Sequence, residues 1–403
     1  MSSKWLSLEE ALAKALNAAT PIVETEEVSL FEANGRVLAQ DAIATLDVPP
    51  WDNSAMDGFA VNSSDIEDGT TLNIQGVITA GMEAATPLAP HSAFKIMTGA
   101  PVPPNADAVV MIENTATDGD SVKIQQLPKS GENIRRKAND IAVNDVLIKQ
   151  GTKLKAEHLM LLSSQGTSSV KVFRKLKVGI VATGSELAEP GQERLATQIF
   201  ESNRVGLSSI LHNENVEIID FGIVEDNEAS LRKLFTKASA SVDVMVSSGG
   251  VSVGDADYVK DIISELGNID FWKIAVKPGK PFALGSINNT LFCGLPGNPV
   301  SSFVTAKLLV VPIIKKMQGQ KGNAAPLFVS AKITRDIKRR AGRRDFQRAT
   351  MTKDDKGEWH VTPFKTQSSG VMTSITAANC LMVIHESIST LNEGDIVPVM
   401  PLY

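Results

Sequence analysis

Cysteine, aromatic rings and histidine pairs are scarce in this chain, and each shortage removes a class of function. Its 403 residues contain 2 cysteines. Cys293 and Cys380 lie far apart and form no CxxC, which excludes a disulfide framework and a cysteine-built zinc site; a reducing, cytoplasmic setting is the expectation. The 5 histidines form no HxH or HxxxH pair, so a histidine-built zinc site is not expected either. Aromatics make up 5% of the chain, too few to build a platform for stacking bases or sugars. Charge of one sign is missing too. The 40 Lys and Arg against 46 Asp and Glu leave a formal charge of −6, unlike a protein that coats nucleic acid. The most apolar stretch, 308–314, falls far short of the ~20 residues of a membrane span and contains Pro312. Neither nucleic acid nor membrane is an expected partner.

What is present is a globular balance, 43% hydrophobic and 21% charged. At ~100–200 residues per domain the length predicts more than one domain. No signal peptide is read at the start, where Ser7-Leu8-Glu9-Glu10 has the form of a capping box: Ser7 accepts from the third N–H and Glu10 reaches back. Leu8, Leu12, Ala15, Leu16 and Ala19 then share a helix face. Residues 47–142 are rich in Pro, Gly, Asn and Asp, with short β-type runs at 72–77 and 108–112. The stretch 155–165 is helical, with Gly166 as its stop. We therefore expect a β-rich segment, 47–142, inserted in a small N-terminal linking unit made of 1–46 and 143–173.

From 174 to 320 the period changes. Strands expected at 178–182, 216–223, 242–246, 271–276, 282–284 and 291–293 alternate with helices at 204–212, 228–240, 258–266 and 299–316. Such alternation means βαβ units and a mostly parallel sheet, with ligands beyond the carboxyl ends of the strands. The remainder, 326–403, reads as short strands, a small β domain. The fold class is α/β multidomain.

The chemistry-bearing residues sit in the loops after those strands. Thr183-Gly184-Ser185-Glu186 offers hydroxyls and a carboxylate, and reads equally as an ordinary glycine turn. Ser247-Ser248-Gly249-Gly250-Val251-Ser252-Val253-Gly254-Asp255-Ala256-Asp257 makes a nest of N–H donors suited to phosphate. Asp255 and Asp257 would repel a bare phosphate, which points to a divalent cation between them, or else to a helix cap and a first-turn acid. The spacing matches neither a Walker A loop nor a dinucleotide GxGxxG. Lys277-Pro278-Gly279-Lys280-Pro281 holds two ammonium groups around a rigid turn, an oxyanion site or a solvated lysine turn. Asn298 and Pro299 form a helix start, by capping or by facing the ligand crevice. The basic stretch 335–348 reads as a solvated hairpin face or an anion funnel rather than a nucleic-acid surface.

Together the motifs DNSAMDGFAV, IMTGAPVP, ENIRRKANDI, TGSEL, SSGGVSVGDADY, FWKIAVKPGKPFALG, GLPGNPVSSF and GRRDFQR resemble the MoeA family, the molybdopterin molybdenumtransferases, to which the E domain of gephyrin is related. They run in family order from about residue 47 to residue 380. The resemblance implies an elongated subunit with a three-layer molybdopterin-binding α/β domain, the inserted β-rich domain and a C-terminal β-barrel-like domain. It implies a homodimer whose cleft is shared between subunits, with a molybdopterin adenylyltransferase as substrate donor. The implied reaction takes adenylylated molybdopterin, molybdate and a divalent cation such as Mg2+, and yields molybdenum cofactor and AMP. By the family pattern Lys277, Lys280, Pro281, Arg343 and Ser369 bind molybdate. Asp226 and Asp257 hold the metal. Thr98, Thr183, Gly184, Ser185, Ser248, Gly249, Gly250, Ser252 and Asn298 bind the pterin substrate, and Asp57, Asp140, Glu186, Asp257 and Lys277 serve catalysis.

Two departures stand out. Ala138 occupies a place where relatives often carry Gly, so the loop before Asp140 is expected to sit differently, and Phe59 stands where Tyr is common. Two alternatives remain at this level: a molybdopterin adenylyltransferase, which shares the TGSEL and SSGGVSVGDAD type of domain, and a non-catalytic dimeric scaffold.

Overall fold

The computed structural model describes residues 5–83, 85–250, 258–322 and 325–402, without the side chains of Lys260, Phe271 and Trp272. They form two compact units. One comprises the chain up to Gln40, Gln150–Ala156 and everything from Ser169 onward; the other comprises Asp41–Lys149 and Glu157–Ser168.

In the larger unit the helix Leu8–Ala18 opens with the capping box expected of it. The Glu10 N–H donates to Ser7 Oγ at 3.1 Å and the Ser7 N–H to Glu10 Oε2 at 2.8 Å. Its buried stripe of Leu8, Ala11 and Ala15 joins the same core as Val311, Ile314 and Met317. The strand Thr25–Ser29 pairs antiparallel with Ser169–Phe173, so chain on either side of the second unit is closed by one ladder.

The central sheet has the order Glu217–Val224, Lys177–Thr183, Val244–Ser248, Thr290–Leu295, Pro281–Ile287, Gly267–Lys273. The first four strands are parallel and the last two antiparallel at the edge. Helices Asn203–His212, Glu228–Ser239, Tyr258–Leu266 and Pro299–Thr305 cover the faces. Alternate residues serve opposite cores: Val178, Ile180, Val244 and Val246 pack with Leu207 and Val304, while Val181 and Met245 pack with Phe235 and Phe292. Both faces are dry, so the strands read as continuous apolar runs. Each fully buried Val, Ile or Phe contributes ~1.5–3 kcal/mol of transfer free energy. The parallel register sets Thr183 against Val224, Ala182 against Ser248 and Ser248 against Leu295, so the loops after these strands leave the sheet at one edge.

At the C-terminus, Arg344–Lys353 pairs with Cys380–Ile384 through its first half and with Trp359–Pro363 through its second. Trp359–Pro363 meets Val329–Ile333, which meets Ile396–Pro401, which returns to Cys380–Ile384, closing a barrel-like ring. Val276–Lys277 adds to this sheet in parallel, with Lys277 opposite Asp345. That pairing brings the lysine turn to the barrel.

The smaller unit holds a sheet ordered Ala108–Met111, Gly58–Val61, Ser92–Ile96, Thr71–Ile78, Ser121–Ile124, Thr115–Asp118. Phe59 is fully buried in it among Val61, Leu72, Val110 and Val122. A tyrosine hydroxyl in that apolar cluster would need a partner, so the departure at Phe59 is a packing feature. Among the described residues, no helix is long and apolar enough to cross a membrane.

Candidate active site

The strand Lys177–Thr183 ends in a buried threonine whose hydroxyl finds no hydrogen-bond partner among the described residues. Beside it Gly249 and Gly250 follow the strand Val244–Ser248 with φ of +89° and +67°, a region that disfavours any Cβ. Space forbids one as well. A Cβ at Gly249 would lie 2.7 Å from Thr183 O, and one at Gly250 would lie 2.7 Å from Val259 Cγ2. The two glycines let the backbone close against Thr183. Asn203, at the start of its helix, braces the same region from below: Nδ2 donates to Ser248 Oγ at 2.7 Å and to Gly297 O at 2.7 Å.

A cleft of about 650 Å3 opens above these loops. Its lining includes Thr183, Gly184, Glu186, Asp226, Gly249 and Gly250 from the parallel strands. Pro278, Gly279 and Pro281 of the lysine turn, and Pro296, Gly297, Asn298 and Ser301 of the last loop, continue it. Asn298 precedes a helix that starts with Pro299, yet its side chain makes no capping bond. The residue instead contributes to the lining of the cleft.

Positive charge enters from the lysine turn and the barrel. Lys277, Lys280 and Arg343 line the cleft together with Gln367, Ser368 and Ser369. Lys277 Nζ lies 3.5 Å from Oδ2 of the buried Asp345, which also accepts from Gln347 Nε2 at 3.1 Å. Lys280 Nζ stands 5.3 Å from the centre of the Trp5 ring, a cation–π contact, and among the described residues no carboxylate pairs with it. Cations thus occupy one side of the cleft and the carboxylates of Glu186 and Asp226 are also in its lining. Such a cavity suits a ligand carrying oxyanions together with a hard cation.

Residues 6–166 match the MoeA N-terminal region (domain I and II), 179–316 a probable molybdopterin binding domain, and 330–402 the MoeA C-terminal region (domain IV). A protein of Haemophilus influenzae named molybdopterin molybdenumtransferase is 41% identical over 397 residues, spanning 98% of each chain. The chain belongs to the MoeA family. A Mycobacterium tuberculosis protein named molybdopterin molybdenumtransferase 2 is 32% identical, again over 98% of both chains. The crystal structure of a molybdopterin biosynthesis MoeA protein from Pyrococcus horikoshii superposes with a TM-score of 0.84 at 29% identity, covering 99% of this chain and 100% of that one.

Against the MoeA pattern, the cleft gathers Thr183, Gly184, Glu186, Asp226, Gly249, Gly250, Lys277, Lys280, Pro281, Asn298, Arg343 and Ser369. Ser185 is exposed and outside its lining. Ser248 lies beneath, buried, its hydroxyl taken by Asn203. Ser252 and Asp257, with the rest of 251–257, lie outside the described residues. Asp57, Thr98 and Asp140 belong to the smaller unit. There the Thr98 N–H donates to Asp57 Oδ1 at 2.6 Å and its hydroxyl to the same oxygen at 2.8 Å. These bonds, the backbone one first, hold the Asp57 carboxyl below the usual range and keep it an anion. Asp140 is exposed, and its N–H donates to Val48 O at 3.0 Å.

Asn203, Gln367 and Ser368 lie outside the MoeA motifs, and Ser301 and Asp345 lie inside them with no role read from the sequence; the structure adds all five to the site. Nor does the basic stretch 335–348 form a solvated face. Arg339 donates to the carbonyls of Ile384, His385 and Arg343, Arg344 pairs with Glu9 and Glu386, and Arg348 is buried; Arg343 reaches the cleft. Backbone acceptors and carboxylates absorb most of that charge. At Ala138 the loop before Asp140 keeps a left-handed conformation, φ +57°, the one a glycine would take freely.

Proposed function

We propose that this chain transfers molybdenum from molybdate to adenylylated molybdopterin with release of AMP, giving molybdenum cofactor. One observation carries the reading: a single cleft is lined by Lys277, Lys280 and Arg343, by Glu186 and Asp226, and by the glycine and Asn298 loops. The named relatives at 41% and 32% identity over nearly the whole chain support it. An adenylyltransferase would leave Arg343, Gln367 and Ser369 without a task, since it needs only the α/β part.

Molybdate is a tetrahedral dianion, and Lys277, Lys280 and Arg343 supply charge-assisted donors for it, with Pro281 and Ser369 shaping the pocket. The pyrophosphate of the pterin substrate lies over the Gly249–Gly250 backbone, and Thr183 Oγ1 and the Asn298 amide provide unfilled hydrogen-bonding capacity for it. Glu186 and Asp226 are hard oxygen donors in that same lining, where the described residues include no His or Cys. Mg2+ suits one or two carboxylates plus substrate phosphates, so these residues fit it. Bound there with Asp257, the cation would supply Lewis-acid stabilisation of charge on the departing AMP.

The working form in this reading is a cytoplasmic homodimer, fed by a molybdopterin adenylyltransferase, with Asp57, Thr98 and Asp140 of one subunit completing the cleft of the other. The test is incubation of the purified chain with adenylylated molybdopterin, molybdate and Mg2+. AMP release that requires all of them, and that stops with EDTA, is expected. A chain that releases no AMP is a scaffold, and the enzymatic reading fails. Mixing D57A with K277A subunits should restore activity, because one of the two shared clefts is then intact; mixtures as inactive as either variant would defeat the shared site.

A further inference from the structure

Resting on the reading of the cleft as a molybdate site, we propose that Arg348 is a positioning residue for the oxyanion. It lies behind the cleft wall, fixes the 367–369 segment and supplies buried positive charge that makes this wall attract a tetrahedral anion.

Arg348 is 1% exposed and heads the largest fully buried side chains of the described residues. It does not line the cleft, but two of the residues it holds, Gln367 and Ser368, do. Its Nη2 donates to Ser368 O at 2.9 Å and its Nε to Ser374 Oγ at 3.0 Å. Its backbone N–H donates to Gln367 Oε1 at 3.0 Å, and its carbonyl accepts from Gln367 Nε2 at 3.0 Å and from the Phe364 N–H at 3.0 Å. Ser374 Oγ passes the contact on to Val371 O at 2.6 Å. One residue thus anchors the excursion from Phe364 to Ser374 at several points, and Gln367, Ser368 and Ser369, within it, line the cleft.

Holding carbonyls does not require a charge, and burying one is expensive unless something answers it. Among the described residues no carboxylate forms an ion pair with Arg348 within 4 Å. Burial pushes its guanidinium down, and the Asp345 charge only opposes this. Asp345 is itself the partner of Lys277 at 3.5 Å. Among the described residues, Asp345 is the buried carboxylate that pairs with Lys277 and bears on Arg348, and no ion pair is formed by Lys280, Arg343 or Arg348. The surplus is the field an oxyanion substrate would complete.

The experiment is a steady-state comparison of R348M, R348K and S374A with wild type, reading KM for molybdate, KM for adenylylated molybdopterin and Tm. R348M removes fork and charge and should raise the molybdate KM about tenfold or more, with the pterin KM unchanged. R348K restores the charge without the fork and should recover part of the loss. S374A loses one anchor and should raise the molybdate KM by about two- to threefold. An R348M chain of wild-type molybdate KM overturns the proposal. So does one in which both KM values move together as Tm falls, since that is mere structural damage. If R348M does not fold, R348K and S374A decide: a selective rise in molybdate KM supports the role and unchanged values end it. Wild-type protein without molybdate-dependent AMP release would sink the cleft reading itself, whereas active wild type with unaffected variants sinks only Arg348.

Discussion

The two walls of the cleft are made in different ways. The sheet wall is a product of backbone: Gly249 and Gly250 take positive φ and press against Thr183, and Pro281, Pro296 and Pro299 restrict the turns around them. The barrel wall depends on side-chain hydrogen bonds, with Gln367 and Ser368 tied to a buried arginine and Ser369 next to them in the chain. A backbone-built wall fails abruptly, because a methyl group has nowhere to go. A side-chain-built wall loosens by degrees, because each hydrogen bond contributes only ~1 kcal/mol.

The substitution G250A tests the first half of that contrast and carries the largest expected effect. Its Cβ would meet Val259 Cγ2 at 2.7 Å and Thr183 Oγ1 at 2.8 Å, from a φ of +67°. Relief requires moving the loop by a substantial fraction of an ångström, and misplacement on that scale costs about 100-fold in kcat/KM. The check is AMP release alongside circular dichroism that confirms an intact fold. A G250A enzyme within threefold of wild type would mean that this backbone is not the mould of the site.

The same contrast explains what could be read in advance. The α/β part was legible because strands buried on both faces give apolar runs of the right length, and the capping box and Asn298-Pro299 mark helix starts. Glycines and prolines at strand ends announced the sheet wall. Gln367 and Ser368 sit in a stretch with no such constraint, and Ser369 was found by family resemblance alone. Barrel closure was expected from the family resemblance alone and not from the strand pattern, because it depends on Arg344–Lys353 taking a different partner along each half. The stretch 335–348 misled for a related reason: a count of arginines does not show that carbonyls already accept from them.

Asn203 is the hybrid case, a side chain that braces backbone, and N203A should fall between the extremes. Its Nδ2 joins Ser248 Oγ to Gly297 O, so its loss unties the glycine loop from the Asn298 loop without adding any atom. Two bonds lost, with partial replacement by water, amount to about 1–2 kcal/mol. The expectation is a fall in kcat/KM of about tenfold, shared between pterin binding and turnover, with Tm lowered by only a few degrees. A loss as large as that of G250A would move Asn203 into the backbone class; no loss would show that the two loops hold their places independently.

The smallest effect, and one of opposite sign, is expected where backbone and residue disagree. Ala138 holds φ +57° in the smaller unit, and its N–H donates to Pro49 O at 3.0 Å, so the turn is fixed although its residue is unsuited to it. A left-handed alanine costs roughly 1–2 kcal/mol relative to glycine, while the added freedom of glycine in the unfolded chain returns about 0.4–1 kcal/mol of that. A138G should therefore stabilise the smaller unit by about 0.5–1 kcal/mol, read as a higher urea midpoint at unchanged slope. The glycine loop and this turn share the same left-handed backbone, yet a methyl group is ruinous in one and merely wasteful in the other. Space decides between them. At Gly250 the neighbours stand within 3 Å of the new atom, whereas Ala138 already carries its Cβ and pays only for the dihedral. A lowered midpoint in A138G would mean that the methyl group is packed usefully, and that left-handed strain is not the quantity separating the two sites.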